Sequence, residues 1–450
     1  MSANNYSHSK RDIGVLASVL IAALLAFCPA HATERSIAGH WSGALAREGA
    51  VQLLSVHLID DSSGLVGTYD IPELGFFDLP IEELELVDNT IQLKLIYGTF
   101  RGFVHEKDSE IAAVTGDQDS LTTLHLKSSL PQESCTSESV SFENGSVTLA
   151  GTLLRPISIG PHPAAVILHD SAPRHRDHRS YRVYGEMYCR AGIASLIYDK
   201  RGVGASTGDF ESASLKDITA DAVAAYRVLE EIVNVRSDQI GFIGFSQGGW
   251  IGPWAASQLP NTAFVVMVAG ASVPVWTQEM HRVEYEMRAA GYTDQEIDSA
   301  LAHTQAIFDA SSDTNSWATL ETSTAAARRA RWAEYVNLPE SQEEAAAWSL
   351  EEYDPRPVLS SLRPPLLAIY GQRDLYVPPS ENVELLTEYL ELADNDHSRI
   401  VVLREMKHGV YRGSGPFNAL VFPKDIYKWD RLEPGLFEQI IPWTLEQLSD

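Results

Sequence analysis

Five short, almost entirely apolar stretches recur from about residue 139 onward, and each ends in glycine or polar residues. They are AAVILHD, IASLIYDKRG, IGFIGFSQGG, FVVMVAG and LLAIYGQRD. Amphipathic helical patterns such as DITADAVAAYRVLEEI lie between several of them. Strands that are apolar on both faces and alternate with helices are typical of a parallel sheet covered by helices on both sides. The segment 139–450 is therefore predicted to be an α/β domain with its active site at the carboxyl ends of the strands.

The preceding segment, residues 33–128, has a different periodicity. In TIQLKLIYG, apolar Ile91, Leu93 and Leu95 alternate with polar residues, which is the pattern of a half-buried strand. Turn sequences such as DDSSG and DN separate this stretch from similar ones. We predict a small antiparallel β domain here, followed by a polar linker over residues 129–138.

Residues 1–32 have the pattern of a secretory signal peptide. Two basic residues precede an apolar run over 13–27, and small residues flank a cleavage position after Ala32. The run of about 15 residues is short for a membrane-spanning helix, which needs roughly 20. We therefore predict cleavage, export to the periplasm or the medium, and no stable membrane anchor after processing. An uncleaved anchor helix and a lipoprotein modified at Cys28 are the alternatives.

The net charge of the whole chain is −27. Such acidity argues against nucleic acid as a partner, because phosphate contacts require a basic face. After cleavage two cysteines remain, Cys135 and Cys189. They could pair in an oxidising compartment, but two separate buried thiols are equally compatible with the sequence. The sequence gives no indication of the oligomeric state.

The stretch IGFIGFSQGG contains the pattern Gly-x-Ser-x-Gly, from Gly244 to Gly248. This pattern is typical of a sharp turn between a strand and a helix that holds the serine in a strained conformation with its Oγ exposed. The backbone N–H of the next residue, Gln247, then lies at the start of the helix and can stabilise an oxyanion. Ser246 is therefore predicted to be a nucleophile.

A nucleophilic serine needs a base and an acid that orients the base. In this architecture the chain order is serine, acid, histidine. Asp374 follows the strand in LLAIYGQRD, and His408 follows the last strand in RIVVLREMKHGV, so we predict these two as acid and base. Asp354 and His397 are rejected because each precedes its strand, at the opposite edge of the sheet.

The loop HDSAPRHRDHRS, which follows the first apolar stretch, is expected to supply a second oxyanion donor. The backbone N–H of Ser171 is the first choice and that of Asp170 the second. The same loop holds four residues of types that bind metals, namely His169, His175, Asp177 and His178. No motif with metal-binding spacing, such as H-E-x-x-H, supports a metal site. We therefore predict neither a metal nor a cofactor.

Four motifs, taken together, resemble those of the α/β-hydrolase superfamily. They are YDKRGVGASTGD (198–209), GFSQGGWIGP, YGQRDLYVP and MKHGV. Within that superfamily the segment 139–450 is similar to bacterial exported serine esterases related to dienelactone hydrolases and acyl-peptidases. The resemblance implies Ser246, Asp374 and His408 as the catalytic triad. It also agrees with an N-terminal β domain, which some exported relatives have.

One position departs from the family. The sequence His169-Asp170-Ser171-Ala172 stands where these relatives usually have His-Gly-Ser-Gly. A carboxylate beside the oxyanion would oppose the developing negative charge. We therefore expect Asp170 to point away from the substrate and to pair with a nearby arginine. The candidates are Arg174, Arg176, Arg182 and Arg201.

Residues 276–348 interrupt the alternation of strands and helices with helical, tryptophan-containing sequence. This insertion is either a lid over the site or a structural excursion. The predicted function is hydrolysis of small-molecule carboxylic esters through an acyl-enzyme. A peptidase that uses the same triad is the first alternative, and a non-catalytic binding protein on a hydrolase scaffold is the second.

Overall fold

The computed structural model describes most of the chain after residue 35. The described residues are 36–47, 50–62, 64–105, 109–116, 121–129, 135–312, 316–341, 344–345, 353–412 and 431–449. The predicted signal peptide, residues 1–32, lies outside them. Within these ranges no helix combines the length and the apolarity that crossing a bilayer requires.

The N-terminal part is a nine-stranded antiparallel sheet. Its strands are β1 (Gly39–Arg47), β2 (Ala50–Asp61), β3 (Gly64–Ile71), β4 (Phe76–Pro80), β5 (Leu84–Val87), β6 (Thr90–Leu95), β7 (Gly98–His105), β8 (Glu110–Thr115) and β9 (Thr122–Ser129). The strand order is β4–β3–β2–β1–β9–β8–β7–β6–β5. Near its two ends, Ile81 N–H donates to Gly67 O in β3 and Glu82 N–H donates to Lys94 O in β6. The sheet therefore curls around its own apolar core.

Period-two alternation explains why this part is β structure. Ile91, Leu93 and Leu95 of β6 are buried in the core, whereas the intervening Gln92 and Lys94 are not. The predicted antiparallel β domain is confirmed.

The second part is an eight-stranded sheet with helices on both faces. Its strands are β10 (Cys135–Asn144), β11 (Val147–Pro156), β12 (His162–Leu168), β13 (Ala194–Tyr198), β14 (Val235–Phe245), β15 (Val265–Val268), β16 (Leu366–Gly371) and β17 (Arg399–Leu403). The strand order is β10–β11–β13–β12–β14–β15–β16–β17. The pairs β10–β11 and β11–β13 are antiparallel, and the remaining pairs are parallel. A short pair, β18 (Tyr411–Arg412) and β19 (Arg431–Leu432), lies outside this sheet.

The helices form a layer on each face of this sheet and an insertion. They are α1 (Arg179–Arg190), α2 (Leu215–Glu231), α3 (Gly248–Ser257), α4 (Val275–Ala289), α5 (Asp294–Ser312), α6 (Trp317–Ala327), α7 (Arg356–Leu359), α8 (Pro379–Leu392) and α9 (Pro434–Gln447). Helices α2, α3 and α8 pack on one face around one apolar core, and α1 and α9 pack on the other around a second. This is the predicted α/β-hydrolase architecture, and the fold class is confirmed.

The strand order places a crevice at the carboxyl ends of β12 and β14. Strand β12 pairs with β13 on one side and with β14 on the other, so the connections after β12 and β14 leave in opposite directions. Such a switch point opens a crevice where ligands bind in open α/β sheets. The loop starting at His169 follows β12, and Ser246 follows β14.

The predicted linker is shorter in the structure. Strand β9 extends through Ser129, and residues 135–138, assigned to the linker from the sequence, form the start of β10. The reason is that β10 is an edge strand whose first half is largely exposed, so it lacks the apolar pattern of the inner strands. The second sheet thus begins before residue 139.

The helical insertion lies between β15 and β16. Helices α4, α5 and α6 fall within or next to residues 276–348 and, with the residues after them, enclose two small apolar cores of their own. Residues 342–343 and 346–348 of that segment lie outside the described residues.

The question left open for the two cysteines is answered by a disulfide between Cys135 and Cys189. It joins the first residue of β10 to the last turn of α1. The adjacent Arg190 forms ion pairs with Asp70 at 3.2 Å and Asp78 at 3.0 Å in the N-terminal sheet. The covalent bond and the ion pairs therefore meet where the two sheets adjoin.

Replacing both cysteines by serine should lower the free energy of unfolding by about 2–4 kcal/mol, because the bond closes a long loop in the unfolded chain. The measurement is urea denaturation of the double variant and of the parent protein under non-reducing conditions. Equal unfolding midpoints would show that the disulfide contributes nothing to stability.

Candidate active site

A tight turn between β14 and α3 holds Ser246. Its φ is +52°, in the left-handed region that non-glycine residues rarely adopt. A Cβ on Gly244 would lie 1.9 Å from Gly248 O, and one on Gly248 would lie 2.8 Å from Leu168 O. Both positions therefore require glycine, and the Gly-x-Ser-x-Gly pattern follows from close backbone packing.

The structure brings Ser246, His408 and Asp374 together in one hydrogen-bonded chain. Ser246 Oγ lies 3.1 Å from His408 Nε2, and His408 Nδ1 lies 2.9 Å from Asp374 Oδ2. The carboxylate is almost fully buried, with 1% of the residue exposed. Its other oxygen, Oδ1, accepts the backbone N–H groups of Tyr376 and Val377, each at 2.9 Å. Every oxygen of this buried acid therefore has a donor.

This arrangement orients the imidazole from several sides. The rings of Phe245 and Tyr376 flank His408, with centroids 5.6 and 5.2 Å from its ring. An Nδ1–H that donates to Asp374 leaves Nε2 free to accept the hydroxyl proton of Ser246. The group can therefore act as a nucleophile with its general base.

The rejected alternatives lie elsewhere. Asp354 is exposed, and its Oδ1 accepts Arg356 N–H at 2.9 Å near the start of α7. His397 is exposed before β17. The hydrogen-bonded chain to Ser246 includes neither residue.

Gln247 and Ser171 lie in the two loops that flank the switch point. Gln247 directly precedes α3, and within the described residues its backbone N–H donates to no protein group. In the loop after β12, Asp170 N–H donates to Tyr181 Oη at 3.0 Å, so that donor is already used. Of the two candidates in this loop, Ser171 N–H remains for an oxyanion.

The carboxylate of Asp170 pairs with Arg174. Arg174 Nη2 lies 2.9 Å from Asp170 Oδ2, Nε lies 3.0 Å from Oδ1, and Oδ1 also accepts Ala172 N–H at 3.0 Å. Burial by itself raises the pKa of Asp170, but the hydrogen bonds and the charge of Arg174 outweigh it and hold the pKa below its ordinary value. The predicted pairing with an arginine is confirmed. The other three candidates pair elsewhere, in Arg176–Asp199, Arg182–Glu186 and Arg201–Asp221.

His169 and His178 of this loop contact other side chains of the protein. The His169 ring is buried edge-on against Tyr181, with centroids 4.4 Å apart. Burial first, and then the charge of Lys200, hold the pKa of His169 well below its ordinary value. His178 Nε2 lies 3.3 Å from Arg174 Nη1. Across the described ranges, no group of three or more His, Cys, Asp or Glu residues is arranged to hold a metal ion.

The sequence analysis missed Lys200, which lies between the two loops. Only 2% of it is exposed, which is rare for a lysine. Its ammonium group donates to Asp170 O and, at 3.1 Å, to Gln247 Oε1. A signal was present in YDKRG, where a lysine follows an apolar strand at the carboxyl edge of the sheet, but a lysine at the end of a strand is usually exposed to solvent.

The helical insertion contacts Tyr376, in the loop that carries Asp374. Tyr376 Oη donates to Glu286 Oε1 in α4 at 3.0 Å, and Gln278 Nε2 donates to Tyr376 O at 2.5 Å. The rings of Tyr285 and Tyr376 lie 5.0 Å apart. Burial and then Glu286 raise the pKa of Tyr376 to about 12, so its hydroxyl stays protonated and can donate. The Tyr376 ring also packs against the His408 ring. Tyr376 therefore contacts both α4 and the proposed base.

Several known proteins are similar to this chain. A protein of Synechocystis sp. named "Putative carboxymethylenebutenolidase" is 27% identical over 150 residues, which are 30% of this chain and 60% of that protein. Esterase EstD of Thermotoga maritima is 22% identical over 319 residues, 68% of each chain. The structure of Est1E from Butyrivibrio proteoclasticus with ferulic acid bound covers 69% of this chain and all of that one, with 15% identity and a TM-score of 0.44.

The sequence model of the X-Pro dipeptidyl-peptidase family, S15, matches residues 144–408. The match spans more than half of the chain. It begins in β10 and ends at His408, so it includes the loop after β12, the turn at Ser246 and the segment of Asp374. The chain therefore belongs to the S15 family of X-Pro dipeptidyl-peptidases, a hydrolase family, and is a member of the α/β-hydrolase superfamily.

Proposed function

We propose that this protein hydrolyses carboxylic esters with a Ser246–His408–Asp374 triad. The observation that carries the proposal is the hydrogen-bonded chain from Ser246 Oγ through both imidazole nitrogens to a buried carboxylate. That chain lies at the carboxyl edge of the sheet, where such folds bind ligands. The names of the esterase relatives agree with this reaction class.

In the proposed mechanism, His408 Nε2 removes the hydroxyl proton of Ser246 while Oγ attacks the ester carbonyl. Asp374 keeps the proton of His408 on Nδ1 and stabilises the imidazolium that forms. The imidazolium then protonates the departing alcohol, leaving an acyl group on Ser246. A water molecule, deprotonated by the same histidine, attacks this acyl-enzyme and releases the acid.

The backbone N–H groups of Gln247 and Ser171 are the proposed donors to the tetrahedral oxyanion. Both follow strands at the switch point, and the start of α3 adds its positive dipole end at Gln247. Donors fixed before the reaction lower the barrier because they need no reorganisation as charge develops. The proposed substrate is a small-molecule ester, and no cofactor takes part in these steps.

Cleavage of peptides is the second candidate, and the S15 family match is the observation that favours it. The same triad cleaves an amide if the site binds a peptide and protonates an amine. Parallel kcat/KM measurements on p-nitrophenyl acyl esters and Xaa-Pro anilides separate the two functions. A fluorophosphonate probe that fails to label Ser246 would favour a non-catalytic binding protein instead.

We also propose that the protein is exported after cleavage following Ala32. The basic pair, the short apolar run and the small residues at the cleavage position support this. Sequencing the N-terminus of the protein recovered from the periplasm or the medium tests it, and a product that retains residues 1–32 would contradict it.

Ser246→Ala should reduce kcat by about 10⁴-fold or more while the protein stays folded, because the change removes the nucleophile and little volume. Ser257→Ala is the matched control. Ser257 lies at the end of α3 with its hydroxyl on Trp254 O, and its loss should leave ester hydrolysis unchanged. Near-normal turnover by purified Ser246→Ala would falsify the mechanism.

Asp374→Asn should reduce kcat somewhat less, by about 10³–10⁴-fold. The amide oxygen of the asparagine can accept the two backbone N–H groups that Oδ1 accepts in the parent protein. The amide NH₂ then faces His408. Nδ1 must then accept rather than donate, so the proton moves to Nε2 and the base is lost. Asp354→Asn serves as the control, and if it proved the more damaging change, the acid would be wrongly assigned.

Tyr376→Phe should alter substrate preference more than chemistry, because it removes the hydroxyl bond to Glu286 of α4 and keeps the ring against His408. We expect a shift in the dependence of KM on acyl-chain length, with kcat for the shortest ester little changed. Tyr292→Phe is the control, since it breaks a hydroxyl bond to Arg331 O inside the insertion. Identical chain-length profiles for Tyr376→Phe and the parent would indicate that α4 does not influence the substrate site.

A further inference from the structure

Asp170 is held through three of its groups, namely its backbone N–H, its carboxylate and its carbonyl oxygen. Asp170 N–H donates to Tyr181 Oη at 3.0 Å, its carboxylate binds Arg174 at 2.9 Å, and its carbonyl oxygen accepts from Lys200 Nζ. These three contacts fix the conformation of Asp170, whereas a glycine at this position would be freer to move.

The carbonyl contact is the one that controls Ser171. The carbonyl of Asp170 and the N–H of Ser171 belong to the same peptide unit, which is planar and trans. In a trans unit the C=O and the N–H point in opposite directions. A group that fixes the direction of Asp170 O therefore also fixes the direction of Ser171 N–H.

The same ammonium group reaches the turn that carries the nucleophile. Lys200 Nζ donates to Gln247 Oε1 at 3.1 Å, and Gln247 supplies the other proposed oxyanion donor through its backbone. Lys200 comes from the end of β13, so it is a third element that joins the loop after β12 to the turn after β14. One side chain thus contacts both residues on which the spacing of the two donors depends.

Further contacts hold Lys200 in place. Its backbone N–H donates to Arg174 O at 3.1 Å, and its ammonium group lies 5.1 Å from the centroid of the Phe210 ring. Taking an ammonium group out of water costs several kcal/mol unless hydrogen bonds compensate. Asp170 O and Gln247 Oε1 both accept from the ammonium group and so compensate part of this cost.

We propose that Lys200 is a positioning residue that sets the direction of the Ser171 N–H through Asp170 O, and the spacing between the Ser171 and Gln247 donors through its second contact, with Gln247 Oε1. This inference rests on the proposed function. It assigns to Lys200 no contact with the substrate and no proton transfer. Its contribution is a fixed oxyanion site, which affects the transition state and not the binding of the ester.

Lys200→Met tests the proposal, because the thioether side chain fills most of the space without donating or carrying charge. We expect kcat for a p-nitrophenyl ester to fall about 10- to 100-fold, below the loss for deleting a donor itself, with KM changed less than threefold. The inhibition constant of a trifluoromethyl ketone with the same acyl group should rise by the same factor, because its adduct on Ser246 places an oxyanion in the site. Lys94→Met, which removes an ion-paired lysine of β6, should change none of these values.

The results of these measurements distinguish a failure of the positioning role from a failure of the proposed function. A folded Lys200→Met protein with unchanged kcat and unchanged ketone affinity overturns the positioning role while the triad stands. A rise in KM at constant kcat also overturns it, since that pattern indicates ground-state binding. If Lys200→Met does not fold, Gln247→Met keeps the backbone donor but removes one acceptor of Lys200, and a parallel loss of kcat and ketone affinity is again required. Parent protein that neither hydrolyses esters nor binds the ketone contradicts the proposed function and this inference with it.

Discussion

Parallel pairing between β12 and β14 is the constraint on which the rest of the site depends. The pair runs from Ala164 opposite Ile240 to Leu168 opposite Gly244, and both strands then end at the same edge. Because the chain leaves β12 and β14 in opposite directions, the loop at His169 and the turn at Ser246 face one crevice. Without this register the two proposed oxyanion donors would not share a space, whatever their own conformations.

Close packing at this edge gives the serine its conformation. Gly244 and Gly248 allow the backbone of α3 to approach β12, and Ser246 N–H donates to Val268 O on the next strand. A residue at φ +52° persists only where the surroundings determine it. The strain at Ser246 is therefore balanced by a well-packed sheet, which explains why the site lies on the central strands and not on the edge.

The two carboxylates at the crevice, Asp374 and Asp170, both accept several hydrogen bonds. Asp374 accepts two backbone N–H groups and His408, and Asp170 accepts Arg174 and Ala172 N–H. An unpaired buried carboxylate would be costly and would oppose the oxyanion. The pairing of Asp170 with Arg174 explains how the chain keeps an acidic residue next to a proposed oxyanion donor.

The sequence predicted the parts of the fold and site that have a local signal. Apolar runs identified the inner strands, and the glycine pattern, together with chain order, selected Ser246, Asp374 and His408, which the structure brings into contact. The start of the edge strand β10, residues 135–138, was assigned to the linker because it is largely exposed, and the Cys135–Cys189 bond depends on a distance that no local pattern encodes. The bridging contacts of Lys200 likewise depend on how three separate elements meet in space.

Helix α1 connects the crevice to the N-terminal sheet. Near its start, Tyr181 holds the N–H of Asp170, and at its end Cys189 and Arg190 are bound to β10, Asp70 and Asp78. A helix of this length is about 18 Å long and nearly rigid. One helix therefore links the N-terminal sheet to the loop that carries Ser171. The β domain, which contributes no residue to the triad, thus shares one rigid element with that loop.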